Sequence, residues 1–293
     1  MIAVVGDLMV DVFLLDTLRL SEQRHGIELK PGGSAANTAV WLANQDCEVS
    51  FSGCVGADWV GSALRTALES AGVRQLVRSV SAQSTGSVLV EISPEGEHTM
   101  RSSRGANASL SPRDIERLSA EDLHVLHLTG YSLLGDAGIK LLHTAAAVAC
   151  SAQARLTFDP SSVGVIEALG RENLLDALRS ASVDLLLPNA SEACALGDCA
   201  TPEEAARRLG TVIPRLAVKL GARGCLAVEG PLITYLPTVP VEALDTTGAG
   251  DGFNAGVLAA LVAGGDLIIA CQAGNSLATH VLRRYGAWPE SPA

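Results

Sequence analysis

Asp245-Thr246-Thr247-Gly248-Ala249-Gly250-Asp251-Gly252-Phe253-Asn254-Ala255-Gly256 sets three small residues directly before an acid and then runs into the apolar stretch Val257-Leu258-Ala259-Ala260-Leu261-Val262. Small residues let backbone approach a ligand closely. The first N–H groups of a helix lack intrahelical acceptors, and with the positive end of the helix dipole they seat an anion such as phosphate. An acid in that first turn is out of place if the site only holds an anion. It makes sense if Asp251 receives the proton of a hydroxyl attacking that phosphate. The same letters also fit a glycine-rich helix start with a capping acid, and the pattern alone leaves both readings open.

Around this stretch, short apolar strands alternate with longer helical segments, the pattern of an α/β fold with a parallel sheet covered by helices. Strands are expected at Ile2–Val5, Val49–Cys54, Val125–Leu128, Arg155–Asp159, Leu185–Pro188, Leu216–Leu220 and Cys225–Glu229. Helices are expected at Ala35–Asn44, Gly61–Ala71, Pro112–Leu118, Gly138–Ala152, Arg171–Ala181, Pro202–Leu209, Gly252–Ala263 and Ile268–Arg283. Several strands end in polar residues or glycine, among them Gly6, Gly53, Asp159 and Asn189, as expected where a ligand lies beyond the carboxyl ends of a sheet. Two segments break the alternation. Asp11–Lys30 has apolar residues without a helical period, and Gly86–Arg101 reads as a hairpin with a turn at Pro94-Glu95-Gly96. Together they are a candidate small sheet beside the main domain.

Composition narrows the class. With 48% hydrophobic and 18% charged residues, the 293-residue chain can bury one large α/β domain with an appendage, and it is not of the disordered type. A net charge of −11 argues against nucleic acid as a partner. The seven cysteines show neither a CxxC pair nor zinc spacing, so reduced thiols in a cytoplasmic protein are expected. The strand opening at Ile2 leaves no expected signal peptide, and no apolar run is long enough for a membrane span. A GxGxxG dinucleotide fingerprint, a GxxxxGK[ST] P-loop and a GxSxG elbow are all missing, which disfavours the corresponding enzyme classes.

Five segments in order carry a resemblance that spans the whole chain. They are Pro31-Gly32-Gly33-Ser34-Ala35-Ala36-Asn37, Gly53-Cys54-Val55-Gly56-Ala57-Asp58, Pro188-Asn189-Ala190-Ser191-Glu192, Lys219-Leu220-Gly221-Ala222-Arg223-Gly224 and Asp245–Asp251. The chain resembles the ribokinase/PfkB-like carbohydrate kinase family. The resemblance implies a ribokinase-like fold: a central, mostly parallel sheet flanked by helices, with a small β-sheet lid. The core would be residues 1–11, 31–85 and 105–293, and the lid 12–30 and 86–104.

The resemblance also implies roles. Asp251 would be the catalytic base, with the backbone of Gly248, Ala249 and Gly250 as the anion hole. Asp11, Gly32, Gly33 and Asn37 would bind the sugar. Lys219, Gly221, Gly224 and Asn275 would lie at the nucleotide, ATP. Asn189 and Glu192 would hold magnesium through waters, although the same pair fits a helix cap and the residue three positions on. Asp245 and Thr247 resemble a potassium site. The lid's exposed apolar edges imply a homodimer formed through the lid.

The departures concern the substrate. Met9 and Ser34 stand where ribokinases commonly carry Asn and Lys, and Thr129-Gly130 where a Glu is common, so ribose itself is in doubt. Arg101 and Arg104 are read either as solvated lid charges or as contacts to an acidic or phosphorylated sugar. The expected activity is phosphoryl transfer from ATP to a hydroxymethyl group of a small sugar or sugar derivative. Rival readings are a nucleoside kinase of the same family and a catalytically silent sugar or nucleotide sensor.

Overall fold

Alternating side chains on short apolar strands build the central sheet. A computed structural model describes residues 1–16, 25–92 and 98–289. In order across its width, the sheet runs Leu232–Leu236, Cys225–Glu229, Arg215–Lys219, Leu185–Leu186, Arg155–Asp159, Val125–Thr129, Ile2–Val5, Val49–Ser52 and Arg74–Gln75. The strands from Arg215–Lys219 to Arg74–Gln75 are parallel, and the last two on the other side are antiparallel. Side chains alternate between the two faces. Ile2 and Val4 pack with Trp41, Phe51 and Leu258 on one face, while Ala3 and Val5 pack with Leu126, Leu141 and Leu142 on the other. The first face is covered by the helices Ser34–Asn44, Ala249–Val262 and Leu267–Val281; the second by Lys140–Ser151, Arg171–Ser180, Ala190–Gly197 and Pro202–Leu209. A fully buried side chain of Trp41's size stabilises by about 3 kcal/mol or more, so both layers are firm supports for whatever lies at the sheet's carboxyl edge.

The two segments that broke the alternation form a separate four-stranded sheet, His25–Gly32, Met9–Asp16, Gly86–Ile92 and His98–Ser103. Met9–Asp16 and Gly86–Ile92 run parallel and the outer pairings are antiparallel. The expected turn at Pro94–Gly96 lies outside the described residues. Asp11, the last residue of the expected core segment 1–11, instead lies in the small sheet, within the second strand, paired with Lys30 and Val88.

Other differences are local. The strand expected at Val49–Cys54 stops at Ser52, and Cys54–Gly56 pairs with Arg78–Val80 in a two-strand ladder. The strand Leu232–Leu236 and the helix Val163–Leu169 were not expected, and the helix Ala190–Gly197 was signalled only by the cap reading of Asn189 and Glu192. Each is short, and Leu232–Leu236 is partly solvated at the sheet's edge, which blurs its period. The last-but-one helix starts at Ala249 rather than Gly252, so the small residues of the opening stretch belong to its first turn.

Candidate active site

Gly248 is the N-cap of the helix Ala249–Val262, with φ 77°. That left-handed backbone favours glycine, and a Cβ there would come 2.8 Å from the Ala287 Cβ. The loop before it is held by Asp245, whose Oδ1 accepts the Thr247 N–H at 2.8 Å and whose Oδ2 accepts the Gly286 N–H at 2.9 Å. Intrahelical bonding begins with Gly252 N–H donating to the Gly248 carbonyl. The N–H groups of Gly250 and Asp251 thus belong to the turn that lacks helical acceptors.

Asp251 emerges from that first turn between two donors of another helix. Ser34 Oγ donates to its Oδ1 at 2.7 Å and Asn37 Nδ2 to its Oδ2 at 2.7 Å. Both donors lie in the first turn of Ser34–Asn44, a helix capped by Gly33 at φ 101°. Burial raises the Asp251 carboxyl to about 6, outweighing the two hydrogen bonds that pull it down, and the Asp159 charge adds to the rise. A carboxylate so placed is oriented and has a proton affinity suited to accepting a proton near neutrality.

Asp11 is 8% exposed and its carboxylate lies against Gly32, where a Cβ would come within 2.2 Å of Oδ2. Burial, then the charges of Asp251 and Asp245, raise it to about 6. Asp11, Gly32, Gly33, Asn37 and Asp251 are therefore brought close together. Trp288 Nε1 donates to Asn37 Oδ1 at 2.9 Å, and Trp41 Nε1 to the Ala287 carbonyl at 2.7 Å. The chain's C-terminal part thereby fixes the amide orientation of Asn37.

On the other side of Asp251 lies a buried polar cluster. Lys219 Nζ donates to Asp159 Oδ2 at 2.8 Å and to Asn254 Oδ1 at 3.2 Å, and Asn254 Nδ2 donates to the same Asp159 oxygen. Burial alone would push the pair's pKa values towards neutral forms. The mutual attraction, the hydrogen bonds and the neighbouring groups together outweigh it, so Asp159 is held below the usual carboxylate range and Lys219 above the usual amine range. Lys219 Nζ lies 3.8 Å from where a Cβ on Gly250 would sit, so the ammonium faces the anion-hole turn.

Asn189 caps the helix Ala190–Gly197 in a full capping box. Its Oδ1 accepts the Glu192 N–H at 2.9 Å, and Glu192 Oε2 accepts the Asn189 N–H at 2.8 Å. Glu192 is 2% exposed, and burial followed by the Asp159 charge raises it to about 7. Asn189 also bridges to Lys219 across the sheet edge, which sets the box beside the Lys219–Asp159 pair. A mostly apolar cavity of about 330 Å³ adjoins, lined among others by Gly221, Gly224, Val239, Ala249 and Asn275. Asn275 Nδ2 donates to the Leu236 carbonyl at 3.2 Å. The Lys219 stem borders this cavity while its ammonium is bonded to Asp159.

Sequence reasoning noted Asp159 only as a polar strand end where a ligand could lie, did not find Asn254 or Trp288, and treated Ser34 only as a lost polar contact. Asp159 and Lys219 had one usable signal, a charged residue at the carboxyl end of a strand. His127 is buried within the sheet, bonded to Thr157 and lowered to about 4 by burial, away from this chemistry. Among the described residues there is no cluster of three or more His, Cys, Asp or Glu side chains for a metal, and no helix is long and apolar enough to cross a membrane.

A helix start with unpaired N–H groups, a doubly held acid in its first turn and an adjoining apolar cavity thus lie together at the carboxyl edge of the sheet. The family model described as pfkB family carbohydrate kinase matches residues 1–293, and the chain belongs to that family of kinases. The ATP-dependent ribose-1-phosphate kinase of Halopiger xanaduensis is 32% identical over 87% of this chain and 81% of its own length. The crystal structure of a ribokinase from Thermotoga maritima superposes with a TM-score of 0.79 at 29% identity, covering 98% of this chain and 94% of that one. An E. coli protein assigned as a ribokinase II, solved with ATP and magnesium, shares the fold with a TM-score of 0.84 at 23% identity, covering 98% and 94%.

Proposed function

We propose that this kinase transfers the γ-phosphoryl group of ATP to a hydroxymethyl group of a small sugar or sugar derivative, with Asp251 as the base. The observation that carries this reading is the double anchoring of Asp251, by Ser34 and Asn37, in the turn that presents free N–H groups. Asp11 accepts hydroxyl hydrogens of the sugar, and Gly32, Gly33 and Asn37 close around it. The acceptor hydroxyl lies against Asp251, which orients it and takes its proton as the bond to phosphorus forms. Charge on the transferred phosphoryl oxygens is met at the Gly248–Ala249–Gly250 turn by its unpaired N–H groups, those of Gly250 and Asp251, and by the Lys219 ammonium. Asp159 and Asn254 keep that ammonium charged and aimed. The adenine occupies the cavity beside Gly221, Gly224 and Asn275.

Magnesium fits the donor set: Glu192 is a buried acid short of positive charge, and both its oxygens are already engaged by Asn189, so contact would run through waters. When bound it would neutralise phosphate charge. Asp245, pinned by Thr247 and Gly286, is the anchor of a monovalent cation site for potassium. The small sheet serves as a lid that excludes water. Its edge strand exposes Ile27 and Leu29, and a homodimer pairing two such edges would cover them.

Asp251→Asn keeps the shape and removes the base. It is expected to lower kcat by about 10³-fold or more while the Kd for ATP changes less than about threefold. A kcat within tenfold of wild type would remove Asp251 from the base role.

A further inference from the structure

Arg104 stands at the end of the small sheet, just before Gly105, and its side chain is 19% exposed. Its Nη2 donates to Asp7 Oδ1 at 2.9 Å, whereas its Nε and Nη1 are buried and have no hydrogen-bond partner among the described residues. Buried guanidinium donors are otherwise paired, because losing water without replacement is costly for a charged group. The solvated reading of this arginine is therefore corrected: the head group is inside the protein with donors left over.

Its location gives those donors a purpose. Asp7 follows the first strand, and its backbone carbonyl lies 2.4 Å from where a Cβ on Gly33 would sit. Gly33 caps the helix whose first turn holds Asp251. The Arg104 carbonyl and the Met9 side chain both pack on Gly86, and Asn107 ties the same loop to the Leu8 backbone through both of its amide groups. Arg104 thus stands, through Asp7, beside the helix start that carries Ser34 and Asn37, the two donors to Asp251. Met9 offers no acceptor, and Asp7 occupies only one nitrogen of the guanidinium.

We propose that Arg104 binds an oxyanion carried by the sugar, a phosphate ester or a carboxylate remote from the hydroxyl that is phosphorylated. Each two-donor edge of a planar guanidinium pairs Nη2 with Nη1 or with Nε at the spacing of two oxygens of one anion; Asp7 takes one of the two Nη2 hydrogens and leaves the other edge whole, which a single hydroxyl cannot match. Asp7 acts as the positioning residue that fixes the guanidinium plane. Asp11 and Asp251 are carboxylates that repel an anion brought beside them, which favours Arg104 as the seat of an oxyanion carried by the sugar. The inference rests on the kinase reading of the site and deepens it by naming the substrate class.

The test pairs neutral sugars with their 1-phosphates and their aldonates, in wild type, Arg104→Met, and Asp7→Asn with Arg104→Met. The double variant is included because the single one strands a buried acid. ADP release is expected to favour an anionic member over its neutral partner by about 100-fold in kcat/KM, the worth of one well-made charge-assisted contact. Arg104→Met and the double variant should erase that preference, almost wholly through KM, and leave the neutral sugar's kcat/KM within about threefold. The phosphate and aldonate arms tell which oxyanion is bound. Preference for neutral sugars in the wild type, or equal losses for both classes in the variants, overturns the proposal and leaves the kinase reading intact. Binding is read separately by calorimetry with the same compounds. An anionic sugar that binds wild type and not the variants supports the site even if transfer is undetected, a result that would count against the kinase reading alone. Binding unaffected by the variants, or seen with none of the anionic compounds, overturns the Arg104 assignment.

Discussion

Replacing Lys219 by Met removes the one side-chain cation that faces the anion-hole turn among the residues bonded to Asp159. Nζ lies 3.8 Å from the position of a Cβ on Gly250, so an oxygen of the transferred phosphoryl group seated on that turn would be about 4 Å away. At an effective dielectric of about 20, two unit charges at that distance attract by about 4 kcal/mol. Part of this is already present with bound ATP and does not accelerate transfer. If half is confined to the transition state, kcat falls about 30-fold, and the loss of a preorganised donor raises the upper end to about 10³-fold. The same substitution leaves Asp159, 4% exposed, without the ammonium 2.8 Å away, at a stability cost of about 3–5 kcal/mol. Asp159→Asn with Lys219→Met removes both charges and should recover most of that stability without recovering the rate. Steady-state kinetics below the melting transition, with Tm measured in parallel, separates the two effects. A kcat within threefold of wild type for Lys219→Met, or a rate restored in the double variant, refutes the catalytic role.

Other expectations follow from neighbouring residues. Asp251 and Asp11 are both raised to about 6 and both must be ionised, so kcat/KM should rise with pH along an acid limb with an apparent pKa near 6 that belongs to the pair; a flat profile between pH 5 and 7 contradicts this. Stability moves the other way. The folded pKa of Asp11 lies above its usual 3.8, so its contribution is fully present below about pH 4 and is lost as pH rises through 6, and Asp11→Asn should raise stability at pH 7 by at most about 3 kcal/mol and much less at pH 4. Trp288→Phe removes the N–H that holds Asn37 Oδ1, and is expected to raise KM for the sugar about tenfold with little change in Kd for ATP; an unchanged sugar KM argues that the amide is fixed without it.

The parts of the site written in one stretch were legible in the sequence. Gly248–Asp251 and Asn189–Glu192 each lie within a single helix start, where local rules of capping and free N–H groups fix what neighbours what. The alternation that gives a parallel sheet was legible for the same reason, since Ile2–Val5 or Arg155–Asp159 shows its apolar run without knowledge of its partners. Asp11 was recognised as a residue but misplaced, because only the strand pairing with Lys30 and Val88 tells which sheet it joins. The contacts that need the folded chain were not legible. Asp159 and Asn254 meet from 95 residues apart, and Trp288 reaches Asn37 across 251. Ser34 looked like a loss of grip on a sugar, and its bond to Asp251 exists only because two helices from opposite ends of the chain pack together. Arg104 could be read as surface charge until its burial and its unpaired nitrogens were known.

The central claim is that the phosphoryl group of ATP goes to a sugar hydroxymethyl group with Asp251 as the base. Incubation with γ-labelled ATP, magnesium and the sugar panel, followed by isolation of the labelled product and assignment of the phosphorylated carbon by NMR, tests it most directly. Label is expected on a primary hydroxymethyl oxygen in the wild type, with almost none for Asp251→Asn. Label appearing only as inorganic phosphate, on a ring hydroxyl, or at an equal rate in the variant would contradict it.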